Sequence, residues 1–396
     1  MLLNTFAPPF RLVGGYFLGG IFCLILSIFA YFLADFSAIF ALKTAGFIHI
    51  FALGFVISII IGSLYQLTSV ILQKPFFSIK GAFFNLFVFL AGALILSFAM
   101  IFENFNLMLF GGAVLFFALS FFGVNFMFSF FKAQTQNLAT FAIFVSSLFF
   151  IVGITLGALL VLVLNGIFAA DFELLLKYHI YFVFGFVFFI IVGVSSVLLP
   201  MFSLSHGNKF LLSKIALACY FLLGITLYFS KIFAILLGVL CVVLFIFDAG
   251  LTLKKRIRKA YDYWNLNIYL SFIGAILGAI FYLFDDKNLA IFYLFYGFLY
   301  PFIVAHLYKI APFLIWYNYI SPFVGKQKVP LLDEMVLKKV AYAEILLNFI
   351  AILSYAFFTK FGIFCIFLSV ILLSFNMLHF FKFTKFGEKN GRENLQ

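Results

Sequence analysis

The sequence predicts an all-α integral membrane protein: twelve transmembrane helices built as three four-helix units in a pseudo-threefold arrangement. Three observations carry that expectation. Of 396 residues, 66% are hydrophobic and only 10% charged, where a soluble domain is about half apolar and a quarter charged. Apolar runs long enough to span a bilayer recur twelve times. In hydrocarbon the backbone must satisfy its own polar groups, which a helix does within one segment. Finally, a spacing of small residues returns on the second, sixth and tenth runs.

The runs lie at about 11–34, 45–72, 80–102, 106–131, 137–165, 174–202, 210–229, 231–253, 264–284, 288–316, 337–358 and 361–383. The segments between them are short, so 1–396 reads as a single transmembrane domain. Its units are at about 11–131, 137–253 and 264–383, with a polar tail at 384–396. The first run lacks a signal-peptide cleavage pattern and reads as a first span. This composition excludes a soluble enzyme, a disordered chain and a secreted disulfide scaffold. Cys23, Cys219, Cys241 and Cys365 are scattered through apolar runs with no Cys-x-x-Cys pair, and read as small buried hydrophobes. The 67 Phe follow from an AT-biased genome as readily as from any binding role.

Twelve spans put both termini on one side. Of the 25 Lys and Arg, only Lys43, Lys177, Lys231, Lys287 and Lys360 fall on the opposite side, with Lys309 inside a span. Cytoplasmic loops carry the positive excess, so both termini are expected in the cytoplasm of a bacterial inner membrane. The net charge of +12 and the basic run Lys254–Lys259 then belong to anionic headgroups rather than to nucleic acid. The loop SPFVGKQKVPLLDEMVLKK, the longest on that side, is expected along the membrane surface.

The repeated spacing is Gly54-Phe55, Gly62 and Tyr65-Gln66 on the second span. On the sixth it is Gly185-Phe186, Gly193, Ser196 and Pro200. On the tenth it is Gly297-Phe298, Ala305, Tyr308-Lys309 and Pro312. Small residues at such intervals let helix backbones approach closely. Their return every fourth helix, always in the same direction across the membrane, suggests three successive units.

Two sets of residues are candidates for chemistry. His49 and His179 lie near the outer ends of the second and sixth spans and are candidate haem or metal ligands, since neutral imidazole suits haem iron, copper or zinc. The alternative is a pair of headgroup-level histidines bonded to backbone or water. His206 and His379 read as interfacial, whereas His306 is in mid-span and needs a partner. The second set is an inner polar layer of Lys309, Glu344, Asp248, Tyr65, Gln66, Tyr308 and His306. A lone charge at such depth costs about 2.5–3.5 kcal/mol on insertion scales, so Lys309 is expected to pair with Glu344 or Asp248. That layer reads as a proton relay, an anion site or a structural ion pair. Lys309 can also snorkel to the cytoplasm. No phosphate loop, nucleophile elbow or Cys/His cluster is present.

The twelve-helix, three-unit architecture resembles subunit I of the haem-copper oxidase superfamily, with motif-level support confined to helices two, six and ten, whose strings HIFALGFVISIIIGSLYQL, HIYFVFGFVFFIIVGVSSVLLPMF and GFLYPFIVAHLYKIAPFLIWY also look like those of small twelve-helix bacterial relatives. More distantly the chain is similar to the NnrS-type haem and copper proteins. The resemblance implies a twelve-helix bundle in three arcs. It sets His49 where the family carries a low-spin haem ligand, and His179 on the helix that carries a copper ligand. The seventh span has no histidine and the tenth has no His-x-His, so the dinuclear oxygen site is expected to be missing. The resulting expectation is an oxidase-like protein that binds haem or copper for redox, nitric oxide or metal handling, with respiratory-chain or metal-handling partners. The rival expectations are a transporter working through the Lys309 layer and a non-catalytic respiratory assembly subunit.

Overall fold

A computed structural model of the chain describes residues 8–36, 38, 40–72, 78–130 and 137–386. The basic residues Lys74, Lys132, Lys389 and Arg392 lie outside the described residues, as does most of the polar tail. The described residues fold into helices joined by short connecting segments, with no strand among them. In order they form α1 (Phe10–Tyr31), α2 (42–72), α3 (Ile79–Ile101), α4 (Phe105–Phe130), α5 (Leu138–Leu164) and α6 (Phe172–Ser203). There follow α7 (Leu211–Phe229), α8 (Lys231–Lys254), α9 (Tyr263–Leu283), α10 (Lys287–Phe323), α11 (Lys338–Ser354) and α12 (Thr359–Lys382). Eleven are long and apolar enough to cross a membrane. The remaining one, α11, has 17 residues. The chain is thus compatible with a multi-pass membrane protein, and a lipid bilayer is the environment its surfaces suit.

Local chemistry sets the helix starts. Ser78, Asp171 and Asp286 each accept a backbone N–H from the first turn of α3, α6 and α10. Asn137 with Thr140, and Asp262 with Asn265, close reciprocal capping boxes at α5 and α9. Two helices are not α-helical throughout. In α2 residues Ile50–Ile57 form a π-helical stretch, and in α10 so do Tyr293–Leu299 and Trp316–Ile320. Pro301 explains one of these. It has no N–H to give to the Gly297 carbonyl, and its ring crowds that carbonyl, so the wider turn falls just ahead of it.

Contacts divide the chain into two compact units. The first contains Phe40–His49 and Ser63–Lys259, which is the two ends of α2 with α3 to α8. There the start of α2 packs on α3, α3 on α4, α4 on α5, α5 on α6, and α7 on α8. The second contains Pro9–Ile39, Ile50–Gly62 and Ala260–Gln396, which is α1, the middle of α2 and α9 to α12. Here α1 packs on the π stretch of α2, α9 on α10, and α11 on α12.

The small residues of the repeat sit at close helix approaches. A Cβ on Gly54 would lie 2.6 Å from the Cβ of Cys23, and one on Gly62 2.8 Å from that of Tyr16. In the first unit Gly185 lies against the Phe149 ring, and a Cβ on Gly193 would lie 3.1 Å from that of Ala142. In the second, Gly297 meets Gly274 backbone to backbone, and Ala305 is fully buried on α10.

Candidate functional site

His49 ends the first α-helical stretch of α2, immediately before its π turn. Its Nδ1 lies 2.6 Å from the Ala45 carbonyl, one turn back on the same helix. His179, in the second turn of α6, reaches sideways to α5, where its Nδ1 lies 2.9 Å from the Gly153 carbonyl. A carbonyl oxygen only accepts, so in each ring Nδ1 carries the proton and Nε2 presents its lone pair. Among the described residues neither Nε2 takes part in a hydrogen bond. The His179 ring fits because α5 is notched. A Cβ on Gly157 would come within 2.8 Å of its Cε1. The two imidazoles, both half-buried in the first unit, are near enough to interact electrostatically. Gly153 and Gly157 escaped the sequence reading because they lie outside the repeated spacing. Their separation of one helical turn on an apolar span was the available signal.

His306 uses the same device in the second unit. Its Nδ1 lies 2.7 Å from the Phe302 carbonyl, and its ring packs on Phe302 with centroids 4.7 Å apart. His206 is exposed just beyond α6, and the half-buried His379 packs on Phe383.

The expected pairing of Lys309 is corrected. Its ammonium is 2.8 Å from Asp262, and pairs with neither Glu344 nor Asp248. The physical reason is reach. The four-carbon stem carries the charge along α10 to the start of α9, where lysine and aspartate side chains both keep about a quarter of their surface in solvent. The ammonium also sits 5.2 Å from the centroid of the Tyr263 ring. Tyr263 donates to Asp333 at 3.0 Å, and Lys338 pairs with Asp333 from the other side. Burial alone would raise the Asp333 carboxyl. The hydrogen bonds from Lys338 and Tyr263, with the charges of Lys338 and Lys309, outweigh it and hold the group below the usual carboxylate range.

Asp248, in the first unit, accepts the Ser213 N–H at 2.9 Å and thereby caps the first turn of α7. Tyr65, in the same unit, is buried with its ring edge-on to Phe122, and Gln66 beside it is half-buried. Glu344, fully buried on α11 in the second unit, is surrounded by neutral donors. Tyr300 donates to its Oε1 at 3.0 Å, Ser369 lies 3.2 Å from the same oxygen, and the Asn267 amide lies 3.4 Å from Oε2. Tyr308 is buried between the rings of Tyr263 and Phe380. Asp262, Tyr300, Asn267 and Ser369 were missed in the sequence. The capping-box pattern Asp262–Asn265 was the legible signal for the first, and none marked the others.

Among the described residues, no three His, Cys, Asp or Glu side chains cluster as a metal site. No protein-family model matches the sequence, and no curated protein matches it.

Proposed function

We propose that the chain is a haem-copper-oxidase-like protein of a bacterial inner membrane, without the dinuclear oxygen site, in which His49 and His179 bind haem or copper for redox, nitric oxide or metal handling. The observation that carries this reading is the matched preparation of the two rings: each Nδ1–H is held by a backbone carbonyl, and each Nε2 lone pair is left available. A ligating histidine is oriented by the hydrogen bond on its other nitrogen, which also raises its basicity. A headgroup-level histidine has no need of a glycine notch in the neighbouring helix. The bound group would supply one-electron exchange or binding of a small diatomic molecule. The chain's own part is to set ring orientation through Ala45 and Gly153 and to seat the His179 ring against Gly157.

The three-unit arrangement about α2, α6 and α10 and the cytoplasmic termini belong to the same proposal. Lys43, Lys177, Lys231, Lys287 and Lys360 all lie at the starts of even-numbered helices, which supports a common outer side. The rival transport reading loses its charge pair now that Lys309 is held by Asp262.

The test is an absorption spectrum of protein purified in mild detergent from its native membrane, with and without dithionite, and metal analysis of the same sample. A Soret band or stoichiometric copper is expected in the wild type. It should be lost in His49→Ala and His179→Ala, and reduced in Gly157→Val, whose side chain displaces the His179 ring. A colourless, metal-free wild type overturns the reading.

A further inference from the structure

Glu344 sets a problem that its hydrogen bonds leave unsolved. Its carboxylate is fully buried, and no Lys or Arg pairs with it: the ion pairs among the described residues are Lys287–Asp285, Lys309–Asp262 and Lys338–Asp333. An ionised carboxylate away from water is costly unless something neutralises it. Beside it are two more anomalies. Asn348, one turn further along the same face of α11, is fully buried, and neither its Oδ1 nor its Nδ2 has a hydrogen-bond partner among the described residues. Asn267, whose Nδ2 faces the carboxylate, has an unpartnered, fully buried Oδ1. Buried amide atoms are rarely left unmatched, and each specific exception asks for an occupant.

We propose that Glu344, Asn267, Asn348, Tyr300 and Ser369 form a binding site for a monovalent alkali cation, with sodium as its natural probe. The donor set consists of oxygens: the two of the carboxylate, the Oδ1 atoms of both asparagines and two hydroxyls. Such hard ligands suit a hard cation. Charge selects its valence. One carboxylate and one monovalent cation leave the site neutral, whereas a divalent ion would leave a net positive charge buried. A proton on Glu344 would also neutralise the charge, yet it would give nothing to the amide oxygens. The cation accounts for the charge and for both oxygens together. The site is confined to α9, α10, α11 and α12 in the second unit, so it stands or falls independently of the histidine pair.

The experiment uses the full chain in mild detergent, titrated with sodium chloride against choline chloride at constant ionic strength, with potassium and lithium chloride as further arms. The melting temperature is read, and binding of radioactive sodium is measured at equilibrium. An alkali cation should raise the melting temperature in a saturable way, because a ligand that binds only the folded chain stabilises it. Bound sodium should approach one per chain or be displaced by the preferred cation. Glu344→Gln should remove the response. Asn348→Leu retains the carboxylate and removes an unmatched amide; it should fold in choline as well as the wild type and bind sodium at least tenfold more weakly. Identical melting in all four salts, with no saturable sodium binding to the wild type, would overturn the proposal. So would Asn348→Leu with unchanged sodium affinity.

Discussion

The α7–α8 pair and the α9–α10 pair are both neighbouring helices in sequence and in space, and they are built on opposite principles. A single residue, Ser230, joins α7 to α8. Only 22% and 28% of their spanning windows are buried, against 44% for α9 and 83% for α10. Phe221, Leu222, Ile225 and Phe229 of α7 are exposed, a surface suited to lipid. Between α9 and α10 the backbones touch at Gly274 and Gly297, and the enclosed faces carry Asn267, Tyr293 and Tyr300. The difference shows where polar chemistry is sustainable in an apolar chain. Hydroxyl, amide and carboxylate groups gather around the helix most fully walled off, where the Glu344 carboxylate meets Tyr300, Ser369 and Asn267. The hydrogen bonds of the α7–α8 pair go largely to backbone: Asp248 accepts the Ser213 N–H, Tyr220 donates to the Tyr181 carbonyl, and Cys241 donates to the Ala216 carbonyl.

The largest expected contrast is steric. A Cβ at Gly274 would overlap the Gly297 carbonyl group, whereas nothing lies within 4 Å of one at Gly250 on α8. Gly274→Ala should cost about 1–3 kcal/mol or more through forced backbone movement. Gly250→Ala should be neutral or gain about 0.5–1 kcal/mol from helix propensity. Thermal melts of the two variants in one detergent check this, and equal melting temperatures would break the comparison. A smaller contrast is polar. Tyr300→Phe removes the hydroxyl shared by Glu344 and Ser369 and should destabilise by about 1–3 kcal/mol. Tyr228→Phe on the exposed side of α7 should change stability by less than about 0.5 kcal/mol. The smallest effect is on pH. Because the Asp333 carboxyl is held below its usual range by Lys338, Tyr263 and Lys309, it contributes stability above the ordinary carboxylate pKa, and that contribution is lost as pH falls through its lower folded value. Limited proteolysis in the 324–337 connection should therefore accelerate in that acid range. Lys338→Ala should move the onset to higher pH.

The helices were legible because an apolar run of sufficient length has few other ways to satisfy its backbone. Gly54, Gly62, Gly185, Gly193 and Gly297 were legible as close approaches for a related reason: a missing Cβ in an apolar span has few other uses. The partner of Lys309 was not. Asp262 reads as a loop acid until the capping box that begins α9 is seen, and a lysine stem reaches further than a count of helical turns suggests. The π stretches were hidden as well. An added residue in a turn shifts the phase of everything beyond it, so equal spacing along α2, α6 and α10 does not mean equal facing. His49 and His179 were visible as residue types. Their fixed tautomers depend on carbonyls at Ala45 and Gly153, which no side-chain pattern announces.

Asp262 carries two contacts that mature at different times during synthesis. Its cap on α9 closes with Asn265, three residues downstream. Its clasp on Lys309 must wait for 47 residues of further chain, an interval of about 2–9 s at a translation rate of about 5–20 residues per second. During that interval α9 has its start secured, and the carboxylate that will dock α10 is already set at the helix end. The later helix thus arrives at a receptor its predecessor has prepared, and the order of the chain becomes an order of assembly.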